Sequence, residues 1–171
     1  MAWWNKPEGT LTPSVSMDRL ASWFITNSFA YELGGSGRVI RAGFDGVFYS
    51  FTVVSDRIMS VHGSYLTSLP TDFATVEEVR AVAHRVADSR VMPAVYLVVD
   101  EQGLGLHANA TVSTGGGLND EQLDSVIDFT IGGIDGAVCE ILTELGQPTP
   151  DQAQGSRDQE EPAAQGGEPE E

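Results

Sequence analysis

The sequence is poor in basic residues. Of its 171 residues only nine are Lys or Arg, against 25 Asp or Glu, and the formal net charge is −16 at pH 7. Lys6 is the only lysine, and neither Lys nor Arg occurs between Arg90 and Arg157. Nucleic acids and anionic membrane surfaces attract clusters of Lys and Arg. The composition therefore argues against both as partners.

Cysteine and long apolar runs are also scarce. The single cysteine, Cys139, excludes an intramolecular disulfide, which fits a reducing compartment. No apolar run approaches the ~20 residues that a membrane-spanning helix needs. The opening stretch MAWWNKPEG lacks the basic and apolar regions of a secretory signal. We therefore expect a cytoplasmic protein.

Residues 147–171 lack every large apolar side chain. This stretch holds seven acids and one arginine but no Val, Ile, Leu, Met, Phe, Trp or Tyr. It cannot bury enough apolar area to offset the entropy of ordering, so we predict a disordered acidic tail. Residues 1–10 are predicted to form an irregular N-terminal arm. The remaining residues, 11–146, are enough for one folded domain.

Hydrophobic periodicity predicts three helices and five strands. The helices are expected from a Ser16 cap to about Asn27, over 75–90, and from a cap at Asn119 or Asp120 to about residue 145. Strands are expected over 38–44, 47–54, 57–65, 94–100 and 104–112, and residues 29–33 could add a short edge strand. Asp45-Gly46 is a strong hairpin signal between the first two strands. The order α-β-β-β-α-β-β-α predicts an α+β fold with a five-stranded, mainly antiparallel sheet packed by helices.

Several local stretches within this order resemble the YbjN family, a group of proposed sensory transduction regulators. They are LTPSVSMDRLASWF at 11–24, FDGVFYSF at 44–51, VMPAVYLVVD at 91–100 and NATVSTGGGLNDEQLDSVI at 109–127. The combination looks like the actinobacterial branch of the family. The resemblance implies a fold similar to type III secretion chaperones and a role as a regulator or chaperone-like binding protein, often dimeric. It carries no catalytic residues over to this chain.

The glycine run Gly115-Gly116-Gly117 precedes a predicted helix, as phosphate-binding loops do. A phosphate loop also needs a nearby Lys or Arg, and none is present here. The first turn of the helix carries Asp120 and Glu121, which would repel a phosphate. We therefore interpret the run as a strand-to-helix connector.

Three histidines, His62, His84 and His107, lack the short spacing of a structural metal site. His62 and His107 lie on different predicted strands and could meet across the sheet. Satisfied or exposed histidines are the preferred interpretation, and we predict no metal site and no cofactor. The alternative is a small-ligand or metal-binding protein, or an enzyme, that uses His62 and His107 together.

Other reactive side chains are given structural roles. Cys139 lies in the middle of the last helix near Asp135 and Glu140, where a reactive thiolate is disfavoured. The carboxylates of Asp45, Asp56, Asp100 and Glu101 all fall at predicted turns, where Asp is common for its backbone hydrogen bonds. No catalytic residue is predicted.

Two pairs of residues are weak candidates for partner contact. Gly132 and Gly136 stand four apart on the last helix, where they could permit close docking or cause a kink. Trp3 and Trp4 could dock onto the core of the domain, or they could anchor a partner. The predicted function is a non-enzymatic, chaperone-like binding or regulatory protein with a protein partner. A homodimer remains an alternative.

Overall fold

A computed structural model describes residues 12–153 of the chain. The elements in chain order are α1 (Met17–Thr26), β1 (Glu32–Gly34), β2 (Val39–Phe44), β3 (Val47–Val54), β4 (Ile58–Leu66), α2 (Phe73–Asp88), β5 (Ala94–Asp100), β6 (Gly103–Ser113) and α3 (Asp120–Glu144). The predicted α+β class is confirmed. The arm at 1–10 and the tail beyond residue 153 lie outside the described residues.

The strands form one antiparallel sheet in the order β1-β2-β3-β4-β6-β5. It has six strands, so the prediction of five was wrong. The additional strand, β1, spans only three residues and pairs Glu32 with Arg41 and Gly34 with Val39. Three residues are too few to show an alternating pattern, and pairing with β2 is what makes them a strand.

Helices α1, α2 and α3 pack on one side of the sheet, here called the covered face. One part of the core joins α1 and the first half of α3 to the sheet, around Phe24, Phe51 and Ile127. The other part joins α2 and the second half of α3 to β6, around Val82, Leu106 and Ile141. Side chains alternate between the two sides of the sheet along β4 and β6, and Val61 and Leu106 face the helices.

Side chains cap all three helices. Ser16 caps α1, and Asn119 caps α3 in a reciprocal capping box with Gln122, as the sequence predicts. α2 begins at Phe73 with Asp72 as its cap, two residues earlier than predicted. Asp72 accepts hydrogen bonds from the backbone N–H groups of Ala74 and Thr75, which fixes the earlier start.

The start of α3 is tied to the segment before α1. The Arg19 guanidinium donates to the carbonyls of Pro13 and Leu118 and forms an ion pair with Asp120. The indole N–H of Trp23 donates to Asp124. The acids at the start of α3 therefore hold α1 in place, which the sequence alone did not indicate.

Residues 147–153 were predicted as part of the acidic tail, but they belong to the described structure. A helical turn covers 150–153, and the backbone N–H of Ala153 donates to the carbonyl of Thr149. Pro150 and Asp151 lie beside Asp45, Asp135 and Cys139. The last described residues therefore lie near the turn between β2 and β3.

Candidate functional site

The side of the sheet opposite the helices is the candidate functional site, here called the open face. No described helix packs on it. Strand alternation and register direct a run of small polar, imidazole and aromatic side chains to this side. They include Arg41, Phe48, Ser50, Ser60, His62, Ser64, Tyr96, His107 and Asn109.

Very little charge lies on the open face. Among the strand positions that point to it, the charged residues are Glu32, Arg41 and Asp100. The whole chain has a net charge of −16, so the acids are concentrated elsewhere. Depletion of charge together with exposed aromatic rings is the composition of a protein interface. Phe48 is 68% exposed and Tyr96 is 46% exposed on this surface.

A groove of about 690 Å³ runs along the open face at its β1–β4 side. Its walls include Tyr31, Glu32, Arg41, Phe48, Ser50, His62 and Ser64. The volume lies within the range of ligand-binding clefts, roughly 300–1,000 Å³. The groove combines aromatic surface, uncharged hydrogen-bonding groups, the Arg41 guanidinium and the Glu32 carboxylate.

His62 and His107 meet at the centre of the open face, although 45 positions separate them in the chain. His62 Nε2 lies 3.1 Å from His107 Nδ1, and the two ring centroids are 5.2 Å apart. Tyr96 stacks on His107 with centroids 5.5 Å apart. The contact between the two imidazoles that the sequence allowed is therefore present.

Gly105 sets the position of the His107 ring. It lies on the same strand and the same face, two residues before His107, and a Cβ there would stand only 2.9 Å from His107 Nε2. The missing side chain lets the imidazole lie over the backbone of β6. From there the ring reaches His62 on the neighbouring strand.

Both imidazoles have a lowered pKa. Burial lowers the pKa of His62, and the neighbouring His107 lowers it further. Burial also lowers the pKa of His107, while the negative charge of Asp100 partly opposes the shift. The pair is therefore neutral at pH 7, with one ring donating a hydrogen bond to the other.

Two neutral imidazoles are ligands for a transition metal, but a stable site takes more donors. Among residues 12–153 no group of three or more His, Cys, Asp or Glu side chains is arranged to hold a metal ion. The hydroxyl of Ser64 lies near the pair on the groove wall but is a weak donor. Among the described residues, the site therefore offers a metal ion the two imidazole ligands at most.

The glycine run is bound to the protein itself. The Gly117 N–H donates to the carbonyl of Thr114, and the Thr12 hydroxyl donates to the carbonyl of Gly116. Gly117 has φ +71, and a Cβ there would lie 2.2 Å from the carbonyl oxygen of Thr12. The run is a connector, as predicted, and Gly117 makes room for the chain before α1.

Cys139 has an unreactive setting. Its pKa is raised by burial and by the nearby carboxylates of Asp151, Asp135 and Asp45. A raised pKa keeps the thiol protonated at neutral pH. The prediction that this thiol is disfavoured as a nucleophile agrees with the geometry.

The glycines of α3 differ in their surroundings. Arg90 donates to the carbonyl of Gly136, and its guanidinium lies 3.4 Å from where a Cβ of Gly136 would be. At Gly132 nothing approaches the corresponding position within 4 Å. α3 continues without interruption through both glycines. Trp3 and Trp4 lie outside the described residues.

Sequence reasoning missed Arg41, Phe48 and Tyr96. Their strands were predicted correctly, and alternation assigns them to the face opposite the buried residues. An arginine and two aromatic rings at outward positions were the available signal. Long-range pairing was needed to show that they share one surface.

No described helix is long and apolar enough to cross a membrane. The fold itself is found in the crystal structure of YbjN from E. coli, a proposed transcription regulator. The two structures match with a TM-score of 0.61 at 12% sequence identity, over 79% of this chain and 95% of YbjN. The predicted resemblance to YbjN is thus confirmed at the level of the fold. No protein-family model matches the sequence, and no curated protein matches it.

Proposed function

We propose that this chain is a non-enzymatic, chaperone-like or regulatory protein that holds a segment of a partner protein on the open face. The observation that carries the proposal is the contrast between that face and the rest of the molecule. A nearly uncharged surface with exposed Phe48 and Tyr96 stands on a chain of net charge −16. A regulator of the kind proposed for YbjN would also act by such binding. The type III secretion chaperone-like fold and the cytoplasmic setting are further parts of this proposal.

The mechanism is recognition without chemistry. Aromatic rings supply contact area at a low entropy cost, and the neighbouring hydroxyl, amide and imidazole groups supply hydrogen bonds. A partner side chain that covers Phe48 removes apolar surface from water. The acidic surface elsewhere keeps the protein dispersed and repels acidic proteins at other sites.

Photo-crosslinking in the native host tests this function. A benzophenone amino acid is placed at Phe48 on the open face or at Phe73 on α2, which is 81% exposed and serves as the control. We expect one protein to be captured in stoichiometric yield from position 48 and not from position 73. Equal capture from both positions, or no capture from position 48 in the folded protein, would reject the proposal.

We also consider a homodimer, in which the edge strand of the sheet would pair with its copy in a second molecule. β5 is the last strand in the sheet, is seven residues long and carries a single charge, Asp100, at its end. Antiparallel self-pairing centred on Leu97 would place Asp100 opposite Ala94, so no like charges would face each other. Light scattering over a range of protein concentrations should show the dimer more strongly at high salt, which screens the net charge. A monomer throughout would exclude it.

A small-ligand or metal-binding role is the second candidate function, and the 3.1 Å contact between His62 and His107 favours it. Calorimetry with Zn²⁺ or Cu²⁺ tests it directly. Binding should be lost in His62→Gln and kept in the matched control His84→Gln, whose exposed side chain lies on α2. Equal affinity in the two variants would exclude this role for the imidazole pair.

A further inference from the structure

Arg41 forms no ion pair within residues 12–153, although the protein is strongly acidic. Among residues 12–153, ion pairs are formed by Arg19, Arg80, Arg85 and Arg90. Arg41 forms none, although Glu32 is its direct cross-strand neighbour. Within the part of the chain that the structure describes, its guanidinium is therefore free to bind a ligand.

The position of this guanidinium is set by Gly34. Its Nη1 atom lies 3.1 Å from where a Cβ of Gly34 would be, so any larger residue there would push it aside. The side chain therefore lies across β1 on the open face and forms part of the groove wall. Arg41 is also the only cationic strand residue that points to this face.

The rest of the groove is suited to a peptide. Phe48 offers aromatic surface, Ser50, Ser64 and His62 offer hydrogen bonds without charge, and Glu32 places a carboxylate on the wall beside Arg41. A guanidinium and an aromatic ring on the wall of one groove match a peptide that carries both a carboxylate and an apolar side chain. The acidic field of the protein would oppose a phosphoryl group, which carries about twice the charge of a carboxylate, more strongly.

We infer that the groove binds an extended peptide segment whose carboxylate pairs with Arg41 and whose apolar side chain, at another position along the segment, packs on Phe48. The carboxylate is that of an Asp or Glu side chain. This inference rests on the proposed function, because it names the chemistry of the segment that the open face holds. It also predicts that the groove selects acidic segments through Arg41, because a protein of net charge −16 disfavours such segments elsewhere on its surface.

The test uses the full-length protein and a displayed library of random peptides. We expect the enriched peptides to share one acidic residue and one apolar residue at a fixed spacing. The best peptide is then synthesised with its acid intact or changed to the amide. Affinity should fall about tenfold in Arg41→Gln, as for the loss of a charge-assisted hydrogen bond, and about as much for the amide peptide. Combining the two changes should cost little more.

Matched variants separate the possible outcomes. Arg38→Gln and Phe73→Ser remove an exposed arginine and an exposed phenylalanine outside the open face, and both should bind normally. Peptides that lack acids and respond to Phe48→Ser but not to Arg41→Gln would overturn the inference and leave the proposed function standing. Peptides indifferent to both variants, or no enrichment at all, would count against both.

Discussion

The two faces of the sheet are built from the same strands but differ in almost every physical property. Phe51 and Phe48 lie three residues apart on β3, yet Phe51 is 0% exposed under the helices and Phe48 is 68% exposed on the open face. The covered face is aliphatic and aromatic, whereas the open face is a mixture of small polar groups, imidazoles and rings. One face therefore maintains the fold, and the other is free to take a binding role.

The largest expected contrast comes from this phenylalanine pair. Phe51→Ala should lower the free energy of unfolding by about 3–5 kcal/mol, because it leaves a cavity in the core. Phe48→Ala should change it by no more than about 0.5 kcal/mol, as for other exposed positions. Chemical denaturation of both variants gives the comparison. A large loss in Phe48→Ala would mean that the open face is covered in solution.

Two glycines sharpen the comparison, one on each face. A Cβ at Gly63 on the covered face would stand 2.5 Å from the Cγ2 atom of Ile134 on α3. Gly63→Ala should therefore cost about 1–3 kcal/mol through overpacking. The close contact of Gly105→Ala on the open face is with the movable His107 ring, so the change should cost far less but separate His107 from His62. Denaturation measures the first effect, and imidazole NMR shifts measure the second. Equal losses of stability would contradict the assignment of faces.

The histidine pair should make the open face sensitive to acid. Each has a pKa below the ordinary 6.5 in the folded protein, so the unfolded chain takes up protons first as the pH falls. Stability should therefore decline from about pH 6.5 downward, and less so in a His62→Gln, His107→Gln double variant. His84→Gln is the control and should follow the wild-type curve. Parallel curves for the double variant and the wild type would show that the histidine pair does not reduce stability in acid.

Asp135 should give the smallest change in stability, and its effect on stability as the pH falls is opposite in sign to that of the histidine pair. Burial is the main cause of its raised pKa, and the Tyr49 hydroxyl, which donates to it beneath the sheet, partly offsets the shift. Its charged form is disfavoured in the folded protein, so this residue contributes stability as the pH falls from neutral towards 3.8. Asp135→Asn should be more stable than wild type near pH 7, and the difference should disappear in acid. Asp128→Asn, on the exposed side of α3, provides the control in the same pH series. If the difference in stability between Asp135→Asn and wild type grew towards low pH, the assignment of a raised pKa to Asp135 would be wrong.

Most elements were predictable because their signals are local. The Ser16 cap, the Asp45-Gly46 hairpin and the Asn119 capping box each depend on a few adjacent residues. β1 was not predicted firmly, because three residues carry no periodic signal. The predicted start of α2 was two residues too late, because the prediction followed the later apolar stripe and the helix begins at the Asp72 cap.

The candidate site was predictable only in part. Alternation assigned His62 and His107 to outward positions, and the sequence allowed their contact without requiring it. The groove could not be foreseen, because Arg41 reaches Gly34 only after β1 pairs with β2. The use of Asp120 and Asp124 to hold α1 was equally hidden, since their partners Arg19 and Trp23 are about a hundred residues away.

By itself the sequence determined the helices, five of the strands, their caps and turns, and the division of each strand into two faces. Those features follow from backbone periods of 3.6 and 2 residues and from short-range hydrogen bonds. The tertiary structure alone decided which face the helices cover, which strands are neighbours, and which side chains meet on the open face. Such contacts depend on strand register and on burial of the common core, and both are properties of the whole chain.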